Sequence, residues 1–382
     1  MKLAVNTLVF TVAALLSLGM VMLYSSSMTQ VGAKYLVMQG IWCGLGLIAM
    51  FTMAVLDYQF LKKYALPLIG LAVVLLIAVF IPHLGHASHG ARRWIGLGRF
   101  NFQSSEFAKL ALIILVAWYA EKKSRKLASF TWGVLVPGAF IGPMLGLIFI
   151  EPDRGSTILL AAVIAAMLLV AGVRWFYILG PIVLGIVFLA ISFYHDPMRS
   201  ARIYSWQHVE ETRLDKGCQA YQAWLALGSG GVTGSGLGDG RQTIGNWMPE
   251  QHTDFILATI GEQLGLVATL GVVAAFILIV WCGLWIALNA RDTFGTLLAT
   301  GLTLLIGFQA FVNIGVVTSF LPNKGLPLPF ISYGGSNLLM MLLFVGVLLS
   351  IARQSRATIP TSAIEPELEL PTRRTNPFAP AR

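Results

Sequence analysis

Charge is what this sequence has least of. Only 11% of its 382 residues are Asp, Glu, Lys or Arg, about half the share of a soluble globular chain. Cysteine is scarce as well: Cys43 and Cys282 fall inside apolar runs and Cys218 in a loop, a scatter that gives neither a disulfide framework nor a zinc cluster. No internal repeat is evident, which counts against an inverted-repeat transporter. Nucleic acid is not expected among the partners.

Apolar length is what the sequence has instead. Hydrophobic residues make up 57% of it and mean hydropathy is +0.77. A helix needs about 20 apolar residues to cross the hydrocarbon. Such runs recur near 5–24, 35–56, 64–81, 106–120, 132–150, 157–172, 176–194, 254–288, 294–320 and 331–352. The expected fold is all-α: a membrane domain over 1–353 of about ten transmembrane helices, with a large extracytoplasmic loop between helices 7 and 8. The run at 106–120 is short and that at 254–288 long, which points to a tilt, a break or a re-entrant piece. Lys2 precedes the first run, but Ser25-Ser26-Ser27 is a poor cleavage site and the run is long for a signal, so it reads as a retained helix. Residues 354–382, with five prolines and few apolar positions, read as a disordered cytoplasmic tail.

Loop cations set the sidedness. Lys62, Lys63, Lys122, Lys123, Arg125, Lys126, Arg174, Arg291, Arg353 and Arg356 all follow even-numbered runs, which places those loops and both termini in the cytoplasm. The opposite side nevertheless carries Lys34, Arg92, Arg93, Arg99, Arg154, Arg199, Arg202, Arg213, Lys216, Arg241 and Lys324. Long translocated loops tolerate charge, and Glu210, Glu211, Asp215 and Asp239 can pair with some of these cations. As a group, cations that oppose the topology signal suggest an anionic ligand at the outer leaflet.

Four stretches can carry chemistry. Glu106 and Lys109 stand three apart on one helical face and read either as a locking ion pair or as functional groups. Glu151-Pro152-Asp153-Arg154 packs two carboxylates and a cation into a turn where they can also simply cap the next helix. Pro249-Glu250-Gln251-His252-Thr253-Asp254 leads into an apolar run, so Asp254 is either an N-cap or a partly desolvated general base; Glu262 lies roughly 12 Å deeper on the same helix. The prolines and glycines of 325–335, with Ser332 and Tyr333 among them, forbid an ordinary helix interior, and irregular backbone at membrane depth lines a polar cavity or is buried in protein. Gly234-Ser235-Gly236-Leu237-Gly238 lacks the strand-turn-helix context of a nucleotide loop, and His83, His86 and His89 lack the neighbours that would make them a metal site.

Together these stretches resemble the SEDS family of bacterial cell-wall synthesis (FtsW, RodA and SpoVE). The resemblance runs from about Leu23 to Arg353. It rests on Tyr24-Ser25-Ser26, Gly90 through Ile95, Gln103 through Lys109, Glu151-Pro152-Asp153 with Gly155, Pro249 through Phe255 and Lys324 through Gly335. Asn313 through Thr318 and Lys324 through Phe330 look closer to the division branch than to the elongation branch. The chain departs from the pattern at Ser104, where the family usually has Pro, at Arg154-Gly155-Ser156, and at Arg241–Trp247, which lacks a Lys often found before Pro-Glu.

The resemblance implies a glycosyltransferase of the inner membrane that polymerises lipid II, a polyprenyl-pyrophosphate-linked disaccharide pentapeptide, at the outer face during septum synthesis. Implied partners are a class B penicillin-binding protein (an FtsI-like transpeptidase), other division proteins and membrane lipids. The family's catalytic Asp falls on Asp254. Substrate contacts are expected from Arg93, Glu106, Lys109, Glu151, Asp153, Arg241, Glu250, His252, Lys324, Ser332 and Tyr333. Pyrophosphate leaves readily once its charge is neutralised, so one base suffices where a glycosidase needs two carboxylates; Arg, Lys or a divalent cation (Mg²⁺ or Mn²⁺) would do the neutralising. A lipid II flippase and a non-catalytic division scaffold are the competing readings.

Overall fold

The computed structural model describes residues 1–27, 32–81, 84–88, 91–97, 100–194, 197–215, 217–240 and 252–355. Each expected apolar run is a helix: α1 (Lys2–Ser27), α2 (Lys34–Val55), α4 (Ala65–Ala78) after the short α3 (Gln59–Lys63), α5 (Ser104–Lys122), α6 (Val136–Ile150), α7 (Arg154–Val170), α8 (Trp175–Tyr194), α11 (Ile256–Leu288), α12 (Thr293–Val317) and α13 (Gly335–Arg353). Among the described residues seven helices, counting Thr131–Ile150 as one, are long and apolar enough to cross a membrane; Ala65–Ala78 and Arg154–Val170 are shorter apolar helices. Helix α5 sits at the centre with nearly every residue buried, beside α12 and α13. Helix α8 is exposed along most of its length, as a lipid-facing helix must be.

The long run is broken. Gly265 sits inside α11 at φ 76°, ψ −172°, a conformation open to glycine at little cost. The break admits a neighbour: a Cβ on Gly265 would lie 2.4 Å from the backbone nitrogen of Gly234. The part of α11 before the break, from Ile256 to Leu264, is therefore a short buried helix with Glu262 and Gln263 inside.

The cationic loops share one end of the bundle. Lys62 pairs with Glu121 at 2.6 Å, the Tyr58 hydroxyl donates to Asp292 at 2.6 Å, and Ser350 and Arg353 donate to the carbonyls of Leu56 and Val55. The opposite end holds the irregular segments. One of them carries a small sheet that hydropathy did not disclose: β1 (Gly85–Ser88), β2 (Ala91–Leu97) and β3 (Phe100–Gln103), antiparallel in that order, with Trp94 opposite Gln103 and Ile95 opposite Phe102. The described residues of the loop at 195–253 form two helices, α9 (Pro197–Gln207) and α10 (Cys218–Ser229). Residues 356–382, most of the expected tail, and the histidines at 83 and 89 lie outside the described residues.

Candidate functional site

Two irregular segments meet at that end: 252–255, entering α11, and 318–334, between α12 and α13. Proline and glycine leave the second without a backbone ladder, so side chains supply its partners. Asn313 of α12 donates to the carbonyls of Asp254 and Leu326, both at 2.8 Å, and stitches the two segments together. The Ser332 hydroxyl donates to the Thr253 carbonyl and accepts from the Leu328 N–H at 2.8 Å. The Tyr333 N–H donates to the His252 carbonyl at 2.9 Å, and Gln39 of α2 donates to the Ser332 carbonyl at 3.1 Å. Above this knot Tyr35 stacks on His252 with centroids 4.7 Å apart and lies 4.8 Å from Tyr333. Burial, helped by Tyr35, raises the Tyr333 phenol.

Asp254 does not occupy the N-cap position. Helix α11 starts at Ile256 with Phe255 at its N-cap and no side-chain cap bond. The carboxylate is half-buried and lies over Gly325, where an added Cβ would come within 2.9 Å of its Oδ2. Lys324 is the next residue. Its half-buried ammonium is pushed down from the usual lysine range by burial and then by the positive charges of Arg154 and Arg202, with Asp153 opposing. The Asp254 carboxylate thus lies over the residue next to an ammonium that feels two further positive charges.

Glu106 and Lys109 do form an ion pair, 2.8 Å apart and almost fully buried. Lys109 also reaches Gln309 of α12 at 3.4 Å, and Gln309 donates onward to the Pro327 carbonyl at 2.9 Å. The pair therefore braces the segment over which Asp254 lies.

The α6–α7 turn forms a third cluster. Asp153 caps α7 through the Ser156 N–H at 3.1 Å and accepts from Gln103 and Ser105, also at 3.1 Å. Arg93 of β2 donates to the carbonyls of Glu151 and Pro152 and so holds the turn. Ser104 sits 3.1 Å from each Glu151 carboxyl oxygen. Burial lifts the Glu151 carboxyl to about 8; Asp153 adds to the rise, while Ser104 and Arg93 oppose it. Between about 4.5 and 8 the folded chain holds a proton that the unfolded chain has released, so stability falls as pH rises through that window. Thermal unfolding in detergent should show this decline, and Glu151→Gln should flatten it.

Arg241 and Glu250 lie outside the described residues. Among the described residues no group of three His, Cys, Asp or Glu side chains converges to hold a metal ion. Gln309 was missed by the sequence reading and Asn313 entered it only within a longer motif. Their signal was there: two amides four apart, on one face of an otherwise apolar helix.

A polytopic helical membrane protein with a carboxylate, a lysine and bracing amides at one end of the bundle is the class that this fold and site define. A family model described as "cell cycle protein", for FtsW, RodA and SpoVE, matches residues 6–357, and the chain belongs to that family. It is 42% identical to the probable peptidoglycan glycosyltransferase FtsW of Geobacter metallireducens, over 90% of this chain and 93% of that one. It is 37% identical to the stage V sporulation protein E of Bacillus subtilis, over 91% and 97%. Among solved structures, a chain of a peptidoglycan synthase complex superposes with TM-score 0.76 at 28% identity over 91% and 96%, and the RodA of Thermus thermophilus with TM-score 0.67 at 28% over the same shares.

Proposed function

We propose that the chain is a peptidoglycan glycosyltransferase that polymerises lipid II at the outer face of the inner membrane, in septum synthesis, with Asp254 as general base. The observation that carries this is the Asp254 carboxylate lying over Gly325, one residue from Lys324 and its neighbouring cations. Asp254 takes the proton from the acceptor sugar's hydroxyl. The oxygen attacks the donor's anomeric carbon, and the bond from that carbon to the pyrophosphate oxygen breaks. Lys324, Arg154 and Arg202 neutralise the departing pyrophosphate. A transporter would need polar lining towards both ends. Deeper than Gln309, the buried polar residues of α12 are only Thr300 and Thr303, which favours chemistry at one end.

The partners in this reading are a class B penicillin-binding protein and other division proteins. Purified full-length chain, with and without that transpeptidase, should turn labelled lipid II into glycan strands; no product in either case overturns the proposal.

Gly325→Ala tests the geometry. The backbone there is not in the left-handed region, so alanine fits the chain, but its Cβ would push on the Asp254 Oδ2. Displacing a catalytic group by a few tenths of an ångström should lower kcat about tenfold with little change in KM.

The proposed topology has ten spans and both termini inside. Cys218 should react with an impermeant thiol reagent added to spheroplasts, and a cysteine at the exposed Ser124 should not. Equal labelling rules out that sidedness.

A further inference from the structure

We propose that the cleft between α9, α10 and the segment after α12 receives the peptide stem of lipid II, an inference that rests on the substrate reading above. Three consecutive residues join this cleft to the chemistry. Gly325 lies under the Asp254 carboxylate, Lys324 sits among the cations, and Asn323 forms part of the cleft wall, donating to Gln219 at 2.7 Å. Successive Cα atoms are about 3.8 Å apart, so the cleft opens within about 8 Å of the backbone beneath the base. The peptide begins on the sugar that bears the pyrophosphate, so with the pyrophosphate at Lys324 its first residues fall within reach of the cleft.

The cleft has a volume of about 380 Å³, inside the range of small-ligand sites. Its lining suits a peptide better than a sugar or a lipid tail. Arg202 and Asp215 bring opposite charges to it, and Gln219 and Asn323 bring amides. Trp206 and Leu321 add apolar surface; a polyprenyl chain would use only that surface and leave the charges unmet, and a neutral glycan would use only the amides. A short peptide with carboxylates, backbone amides and an amino group uses all of them. Arg202 also adds its charge to the field at Lys324, so one residue serves both the pyrophosphate and the stem.

Cys218 lines the same cleft and is half-buried, which supplies a probe that needs no mutation. In the purified full-length chain with its transpeptidase, maleimide labelling of Cys218 should slow at least fivefold with saturating pentapeptide lipid II. A lipid-linked disaccharide lacking the stem should give no protection. Equal protection by both ligands, or by neither, overturns the proposal. Ala220→Trp, which fills the cleft, should raise KM for pentapeptide lipid II about tenfold and leave KM for the stemless substrate unchanged. Equal rises, or no rise, also overturn it. If the unmodified complex makes no glycan from either substrate, the activity reading has failed rather than the stem assignment.

Discussion

Asp254→Asn should fold, reach the membrane and make almost no glycan. Asparagine keeps the size of the side chain, and the structure removes the usual objection that a cap has been changed. Helix α11 starts at Ile256 without a side-chain cap bond, and Asn313 holds residue 254 through its carbonyl, which the substitution leaves in place. Thermal stability of the asparagine variant should therefore stay near that of the parent. What asparagine cannot do is accept a proton. Loss of a general base costs about 10²–10⁴ in rate, so initial rates with labelled lipid II should fall by at least a hundredfold. Near-parental rates from the asparagine variant would make Asp254 a bystander and move the search for a base to Glu250 and Glu262.

The contrast between cap and base shows what could be read in advance. Helices were legible because lipid demands about 20 apolar residues at a stretch, a signal that survives averaging. The break in α11 was foreshadowed by its excess length, although the length alone did not point to Gly265. The small sheet before α5 was hidden. Its strands span only four to seven residues, and tertiary contacts tie it down: Ser336, at the start of α13, donates to the Asn101 carbonyl and accepts from the Gln103 N–H. Arg93 shows the same limit. Its charge was visible in the sequence, but that it would grip the Glu151 and Pro152 carbonyls depends on two segments meeting. Their three-residue spacing marked Glu106 and Lys109 as a pair, while their reach through Gln309 to Pro327 belongs to the packing of α5 on α12.

That reach decides how the pair should respond to mutation. Lys109→Met leaves Glu106 as an unpaired charge in a buried position, and Glu106→Gln strands Lys109 in the same way; breaking a buried pair from one side costs about 3–5 kcal/mol. Each single variant should unfold well below the parent in a thermal scan in detergent. The double variant Glu106→Gln with Lys109→Met removes both charges and should recover most of the stability, since apolar or neutral replacements of whole buried pairs are often tolerated. Activity should not recover with it. Methionine cannot donate to Gln309, whose amide hydrogen-bonds the Pro327 carbonyl and so braces the segment beneath Asp254. Exchanging the two residues makes a sharper case. Glutamate at 109 would need the amide N–H of Gln309 turned towards it, which gives up the bond to Pro327. The exchanged variant should thus fall between the singles and the parent in stability, yet polymerise lipid II far more slowly than its stability alone would suggest. If the single variants unfold at the parental temperature, the pair does not hold the helices together. If the double variant regains full activity along with its stability, the brace to Pro327 is not needed for catalysis.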